Sequence, residues 1–119
     1  FLSFKPGESA KLILKKMTQE GVTESYCLDD NGIFLGKIHI HDLLKELDSY
    51  AGTICDPHCL KLFDTQSMND AIKIASNFVG EALPVLNKEK NTLSGIVSEA
   101  DLFQSYMQVT NMVRKIETS

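Results

Sequence analysis

Phe34-Leu35-Gly36-Lys37-Ile38-His39-Ile40-His41-Asp42-Leu43 is a phrase the chain states twice, the second time as Leu93-Ser94-Gly95-Ile96-Val97-Ser98-Glu99-Ala100-Asp101-Leu102. Gly36 and Gly95, and likewise Asp42 and Asp101, lie 59 residues apart. Self-similarity at one offset in a chain of 119 residues means two copies of one supersecondary unit, each too small to bury a good core alone. A paired unit has a cleft between its halves, and that cleft is the first place to look for function.

Working outward, Ala10, Ile13, Leu14 and Met17 fall on one helical stripe ahead of the first phrase, with Pro6 and Gly7 before it and Gly21 after it. Met68, Ala71, Ile72 and Ala75 repeat the stripe ahead of the second, with Ser67 as N-cap and Asp70 as its capping-box partner. Each helix is followed by a short apolar strand, Ser25 to Leu28 or Ala82 to Leu86. Each strand turns, through Asp29-Asp30-Asn31-Gly32 or through Asn87 to Thr92, into a returning strand, Ile33 to Ile40 or Leu93 to Ser98. A second helix closes each copy, carrying Leu43, Leu44 and Leu47, or Leu102, Phe103, Tyr106 and Val109. The expected fold is therefore α+β, helix–strand–strand–helix twice, packed with pseudo-two-fold symmetry. Repeat 1 is read as about 1–48, a linker as about 49–62, repeat 2 as about 63–107, and a helical extension as 108–119. On that extension Val109, Met112, Val113 and Ile116 form a stripe read as a self-association face, so a homodimer is expected.

Composition narrows the function. The net charge is −4, with 12 basic and 16 acidic residues and Arg114 the only arginine, so no electrostatic footprint for nucleic acid exists. No apolar run is long enough to cross a bilayer. Cys27, Cys55 and Cys59 are an odd set with no disulfide framework, which suits a reducing compartment. The chain opens on Phe1, and it is expected to be a segment of a larger protein. No P-loop, dinucleotide glycine fingerprint or nucleophile elbow is present, so no enzyme activity is expected.

The paired phrases, with their flanking helices, resemble the tandem cystathionine β-synthase (CBS) domain pair, or Bateman module, from about Phe4 to Met107. Its most specific element is glycine, two apolar residues, Ser or Thr, any two, then aspartate. Gly95-Ile96-Val97-Ser98-Glu99-Ala100-Asp101 matches in full, while the first copy has His39 at the Ser/Thr position. The family's proline-bearing strand is similar to Ala82-Leu83-Pro84-Val85, with Cys27 read as replacing the proline in the first copy. Phe4-Lys5-Pro6-Gly7-Glu8-Ser9 and Glu20 to Tyr26 resemble the cytoplasmic tails of chloride channels and transporters. The resemblance implies a cytoplasmic regulatory module, attached to a membrane channel or transporter, that binds an adenine nucleotide or nucleoside between its copies. It requires no cofactor. The alternative is a ligand-free dimerisation module of a larger membrane protein or enzyme.

Asp101 carries two readings on chemistry alone. A carboxylate accepts two parallel hydrogen bonds, which suits the paired hydroxyls of a ribose. At the first turn of a helix it also caps backbone N–H groups. By the resemblance, Asp101 and Ser98 share a ligand site with Val22, Thr23 and Glu24, with Ile96 walling the base, and a weaker mirror site holds Asp42, Thr53, Gly80 and Glu81. Glu24 and Glu81 lie close to the expected ligand, and strand alternation turns Lys37 away, so adenosine or AMP is expected over ATP. Cys55-Asp56-Pro57-His58-Cys59 offers half of a zinc-ligand pattern with no second half, and no metal is expected.

Overall fold

The structure, a computed structural model, describes residues 1–76, 82–105 and 107–108. Its elements run β1 (Ser3–Phe4), α1 (Ala10–Glu20), β2 (Glu24–Leu28), β3 (Phe34–His39), α2 (Ile40–Lys45), α3 (Ala51–Ile54), β4 (Leu62–Phe63), α4 (Met68–Ala75), β5 (Leu83–Leu86), β6 (Leu93–Val97) and a last helix, α5, over 99–105. The strands form two three-stranded sheets of order β1-β2-β3 and β4-β5-β6, each with one parallel and one antiparallel pair. This is the α+β duplication expected. Among the described residues no helix is long and apolar enough to cross a membrane.

Local chemistry explains the elements. The Ser9 hydroxyl accepts from the Leu12 N–H at 3.3 Å and starts α1. Gly21, at φ 69°, ends it by donating to the Met17 and Thr18 carbonyls from a left-handed conformation that glycine adopts without strain. Ser67 starts α4 in the same way, accepting from Asp70 N–H at 3.1 Å. In the first hairpin one Asp29 carboxylate oxygen accepts from the Asn31 and Ile33 N–H groups; in the second, Asn87 does so from Glu89 and Lys90. Both hairpins carry a register shift at the same place, between Cys27 and Leu28 and between Val85 and Leu86.

Two details differ from the sequence reading. Each copy has a further strand, β1 or β4, two residues long and running parallel to the centre of its sheet; Leu62, inside the segment read as linker, already belongs to β4. Cys27 pairs with Gly36 and Val85 pairs with Gly95, so Cys27 takes the place of Val85 rather than of Pro84. Pro84 is tolerated in a central strand because β4 pairs only with Val85 and Leu86, leaving no partner on that side at the proline.

One face of the first sheet packs on helices: Cys27 and Ile38 join Ile13, Met17, Leu43 and Ala51 in a core from which solvent is excluded. The other face meets the second copy, where Tyr26 and Phe34 pack with Leu86, and Phe63 and Leu93 lean on the cluster. The hairpin ends join across the copies through an Ile33–Thr92 bridge, with Phe34 N–H donating to Asn91 at 2.9 Å and Leu93 N–H to Gly32 at 3.3 Å. The linker seals the first copy's sheet edge: Lys37 N–H donates to Asp56 O at 3.0 Å and Asp56 N–H to Lys37 O at 2.8 Å. Gly36 makes room for this, since a Cβ there would stand 2.8 Å from the Asp56 carbonyl carbon.

Candidate functional site

The two motif aspartates do different things. In the second copy Ser98 and Asp101 cap α5 reciprocally: Asp101 N–H donates to the Ser98 hydroxyl at 3.0 Å, and Ser98 N–H to an Asp101 carboxylate oxygen at 3.2 Å. Hydrogen bonds from Ser98, side chain first and backbone second, hold the exposed Asp101 carboxyl below its ordinary range. One of the two oxygens that ribose recognition would use is thereby taken up by the helix end. In the first copy His39 stands at the N-cap of α2 and makes no side-chain cap bond. No reciprocal pair ties down the exposed Asp42 in the first turn of α2.

Asp42 instead lines a cavity of about 360 Å³ together with Lys45, Glu46, Thr53, Ile54, Cys55, Asp56 and Pro57. The end of α2 forms one wall and α3 with the start of the linker forms the other. Two of the four residues expected in the mirror site, Asp42 and Thr53, are thus brought together. The other two, Gly80 and Glu81, lie outside the described residues. Three carboxylates against one ammonium make this lining acidic, an environment that opposes a polyphosphate more strongly than a nucleoside.

The residues expected beside Asp101 are dispersed in role. Glu24 is buried and ion-paired with Lys37, their side chains 4% and 8% exposed. Val22 is half-buried against the first core, Thr23 is exposed with its carbonyl accepting from Ile40 N–H at 2.9 Å, and Ile96 is exposed on β6. Lys37 does not face solvent, as strand alternation on a one-faced sheet suggested. It points at the second copy and donates to the Ala82 carbonyl at 2.8 Å. The misreading came from treating the face opposite the helices as outer, when the duplicated copy covers it. The sequence signal was available: a lysine set between Gly36 and Ile38 in an otherwise apolar strand.

Among the described residues no group of three or more His, Cys, Asp or Glu side chains could hold a metal ion. Cys55 packs on the first core, whereas Cys59 leans on the inter-copy cluster, so the two thiols serve different clusters. The linker turn is held by Asp56, whose carboxylate accepts from His58 N–H at 2.9 Å. Lys45, Glu46, Asp56 and Pro57 were not anticipated as site residues; they carry no motif and converge only through the fold.

Two copies of one motif, each a three-stranded sheet with helices, place this chain among paired regulatory domains in architecture. Residues 51–108 match the CBS domain family model, and the chain as a whole has the fold of a tandem CBS pair. A CBS domain pair/ACT domain protein from Thermotoga maritima is similar, at 23% identity and a TM-score of 0.76, over 92% of this chain and 90% of that one. CBSX2 from Arabidopsis thaliana, solved in complex with AMP, is similar at 22% identity and a TM-score of 0.74, over 92% and 89% of the two chains. The cytosolic domain of the Mg2+ channel MgtE, solved in complex with ATP, is similar at 17% identity and a TM-score of 0.76, over 88% of this chain and 44% of that one. No curated protein matches the sequence.

Proposed function

We propose that this chain is a regulatory, non-catalytic module that binds an adenosine-type ligand, AMP or adenosine before ATP, and passes its occupancy to an attached protein. The observation that carries this reading is the meeting of Asp42 and Thr53 in one cavity, at a volume within the roughly 300–1,000 Å³ of small-molecule sites. In this reading the Asp42 carboxylate accepts from both ribose hydroxyls, and the Thr53 hydroxyl serves a further sugar or phosphate oxygen. The acidic lining selects against a triphosphate. The AMP and ATP complexes of the structural relatives favour an adenine ligand class. Asp101, Ser98, Ile96, Val22 and Thr23 are proposed as the weaker site, because Asp101 already serves its helix cap. Glu24 is assigned to Lys37 rather than to ligand. The attached protein is proposed to be a membrane channel or transporter, and a chloride channel or transporter on the strength of the Phe4 to Ser9 and Glu20 to Tyr26 resemblance. That places the module on the cytoplasmic side.

Calorimetric titration with adenosine, AMP, ADP, ATP and S-adenosylmethionine tests the reading. Hydrogen bonds to a charged acceptor contribute about 1.5–3 kcal/mol each, so Asp42→Ala weakens AMP at least about tenfold. Asp101→Ala leaves AMP within about twofold. No heat from any of these ligands at millimolar concentration overturns the proposal, and the reverse order of the two variants moves the ligand to the other copy.

A further inference from the structure

Lys37 gathers contacts from three parts of the molecule. Its ammonium pairs with Glu24 at the start of β2 and donates to the Ala82 carbonyl just ahead of β5, in the other copy. Its backbone is clamped from both directions to Asp56, a wall of the Asp42–Thr53 cavity. Stability gives no general reason to keep such a group, since a buried ion pair is often replaced by apolar residues of similar volume at no loss. Satisfying Glu24 within the first copy does not require the reach to Ala82 either. The bond to Ala82 costs the second copy nothing in side-chain chemistry, because it uses a main-chain carbonyl. It therefore reports the position of the β5 backbone whatever residue stands there.

We propose that Lys37 is the positioning residue that couples the Asp42 cavity to the second copy. A displacement of Asp56 is carried through the two backbone hydrogen bonds to Lys37, and from its ammonium to Glu24 and to Ala82. The trigger rests on the reading of that cavity as a ligand site; the tie itself does not. Lys37 touches no ligand in this scheme. Its effect is to make the spacing of the β2 and β5 starts depend on the linker wall.

Amide hydrogen exchange on the full 119-residue chain tests both parts. The variants are Lys37→Met, the charge-balanced pair Glu24→Gln with Lys37→Met, which stays foldable if the single change does not, and Glu24→Gln alone. Without ligand, the Leu83, Val85 and Leu86 amides of β5 exchange at least about tenfold faster in the charge-balanced pair, the scale of losing one charge-assisted bond. The Ile13 and Met17 amides of α1 stay within about twofold, and Glu24→Gln, which keeps Lys37, leaves β5 unchanged. Rates at β5 within twofold of the parent, or an equal acceleration everywhere, overturn the tie. With AMP added, protection in the parent appears at Asp56 and extends to β5, while the charge-balanced pair keeps the change at Asp56 and loses that at β5. A β5 response that survives the loss of Lys37 overturns the coupling. Absence of any AMP effect in the parent overturns the cavity reading, and the first arm still decides the tie.

Discussion

Substituting alanine at the two motif glycines separates what the fold demands from what the motif merely repeats. A Cβ at Gly36 would lie 2.8 Å from the Asp56 carbonyl carbon, 2.9 Å from its oxygen and 3.0 Å from the Cys55 Cβ. The first two neighbours are backbone, and that backbone is held to Lys37 by hydrogen bonds of 2.8 and 3.0 Å, so it yields only by stretching them. Crowding of this kind costs about 1–3 kcal/mol, and each weakened bond costs up to about 0.5–1.5 kcal/mol more. The loss of unfolded-state entropy returns about 0.4–1 kcal/mol. Gly36→Ala is therefore expected to lose about 2–3 kcal/mol, or roughly 8–12 °C in Tm at about 4 °C per kcal/mol for a domain of this size. At Gly95 no atom lies within 4 Å of the corresponding Cβ, and Gly95→Ala is expected to be neutral or slightly stabilising. Urea unfolding followed by far-ultraviolet circular dichroism measures both. Because Asp56 lines the Asp42 cavity, Gly36→Ala is also expected to weaken AMP although Gly36 lines no part of it. Unfolding free energies for the two variants within about 0.5 kcal/mol of each other refute the reasoning.

Thiol chemistry and assembly give two more tests. Burial first, and the neighbouring Cys55 thiol second, push the Cys27 thiol up to about 12. Thiolate is the reactive form, so native Cys27 is expected to resist iodoacetamide from pH 7 to about pH 10 and to react after Cys55 and Cys59. Peptide mass spectrometry reads the order, and early labelling of Cys27 refutes its placement. On the helices, Leu44 and Phe103 are each 57% exposed and Met107 is 49% exposed, apolar area that the proposed homodimer would cover. Sedimentation across concentration is expected to show a dimer that Phe103→Glu dissociates; a strict monomer at all concentrations refutes it. The stripe at Val109, Met112, Val113 and Ile116 lies outside the described residues.

The duplication was legible because it rests on patterns that short-range chemistry enforces. The stripes of α1 and α4, the capping serines and the Asx-type turns all act within a few residues of themselves. What escaped was what the second copy and the linker impose from outside. The strands β1 and β4 are two residues long, too short to show alternation, and exist because a parallel partner waits for them. Lys37 looks like a surface residue until Ala82 of the other copy arrives. Cavity walls such as Asp56 and Pro57 carry no motif, because a loop is placed by what it packs against.

The contrast between Asp42 and Asp101 shows why a better motif match need not mark the better site. Ser98 makes the second copy fit the family pattern in full, and Ser98 is also an efficient N-cap, so the same pair of residues closes on itself through two hydrogen bonds. His39 spoils the match in the first copy, and it equally spoils the cap, leaving Asp42 in the first turn of α2 without that internal partner. A pattern of Ser, two residues and Asp thus measures helix-starting ability and ligand-binding ability together, and sequence cannot divide one from the other. Geometry can, because a carboxylate oxygen already accepting from Ser98 N–H must give up that bond before it accepts both hydroxyls of a ribose. If the cap is the reason Asp101 binds poorly, Ser98→His, which imitates the first copy, is the substitution that should free it. The open question is then whether any wall forms opposite, as Thr53 and Asp56 form one opposite Asp42.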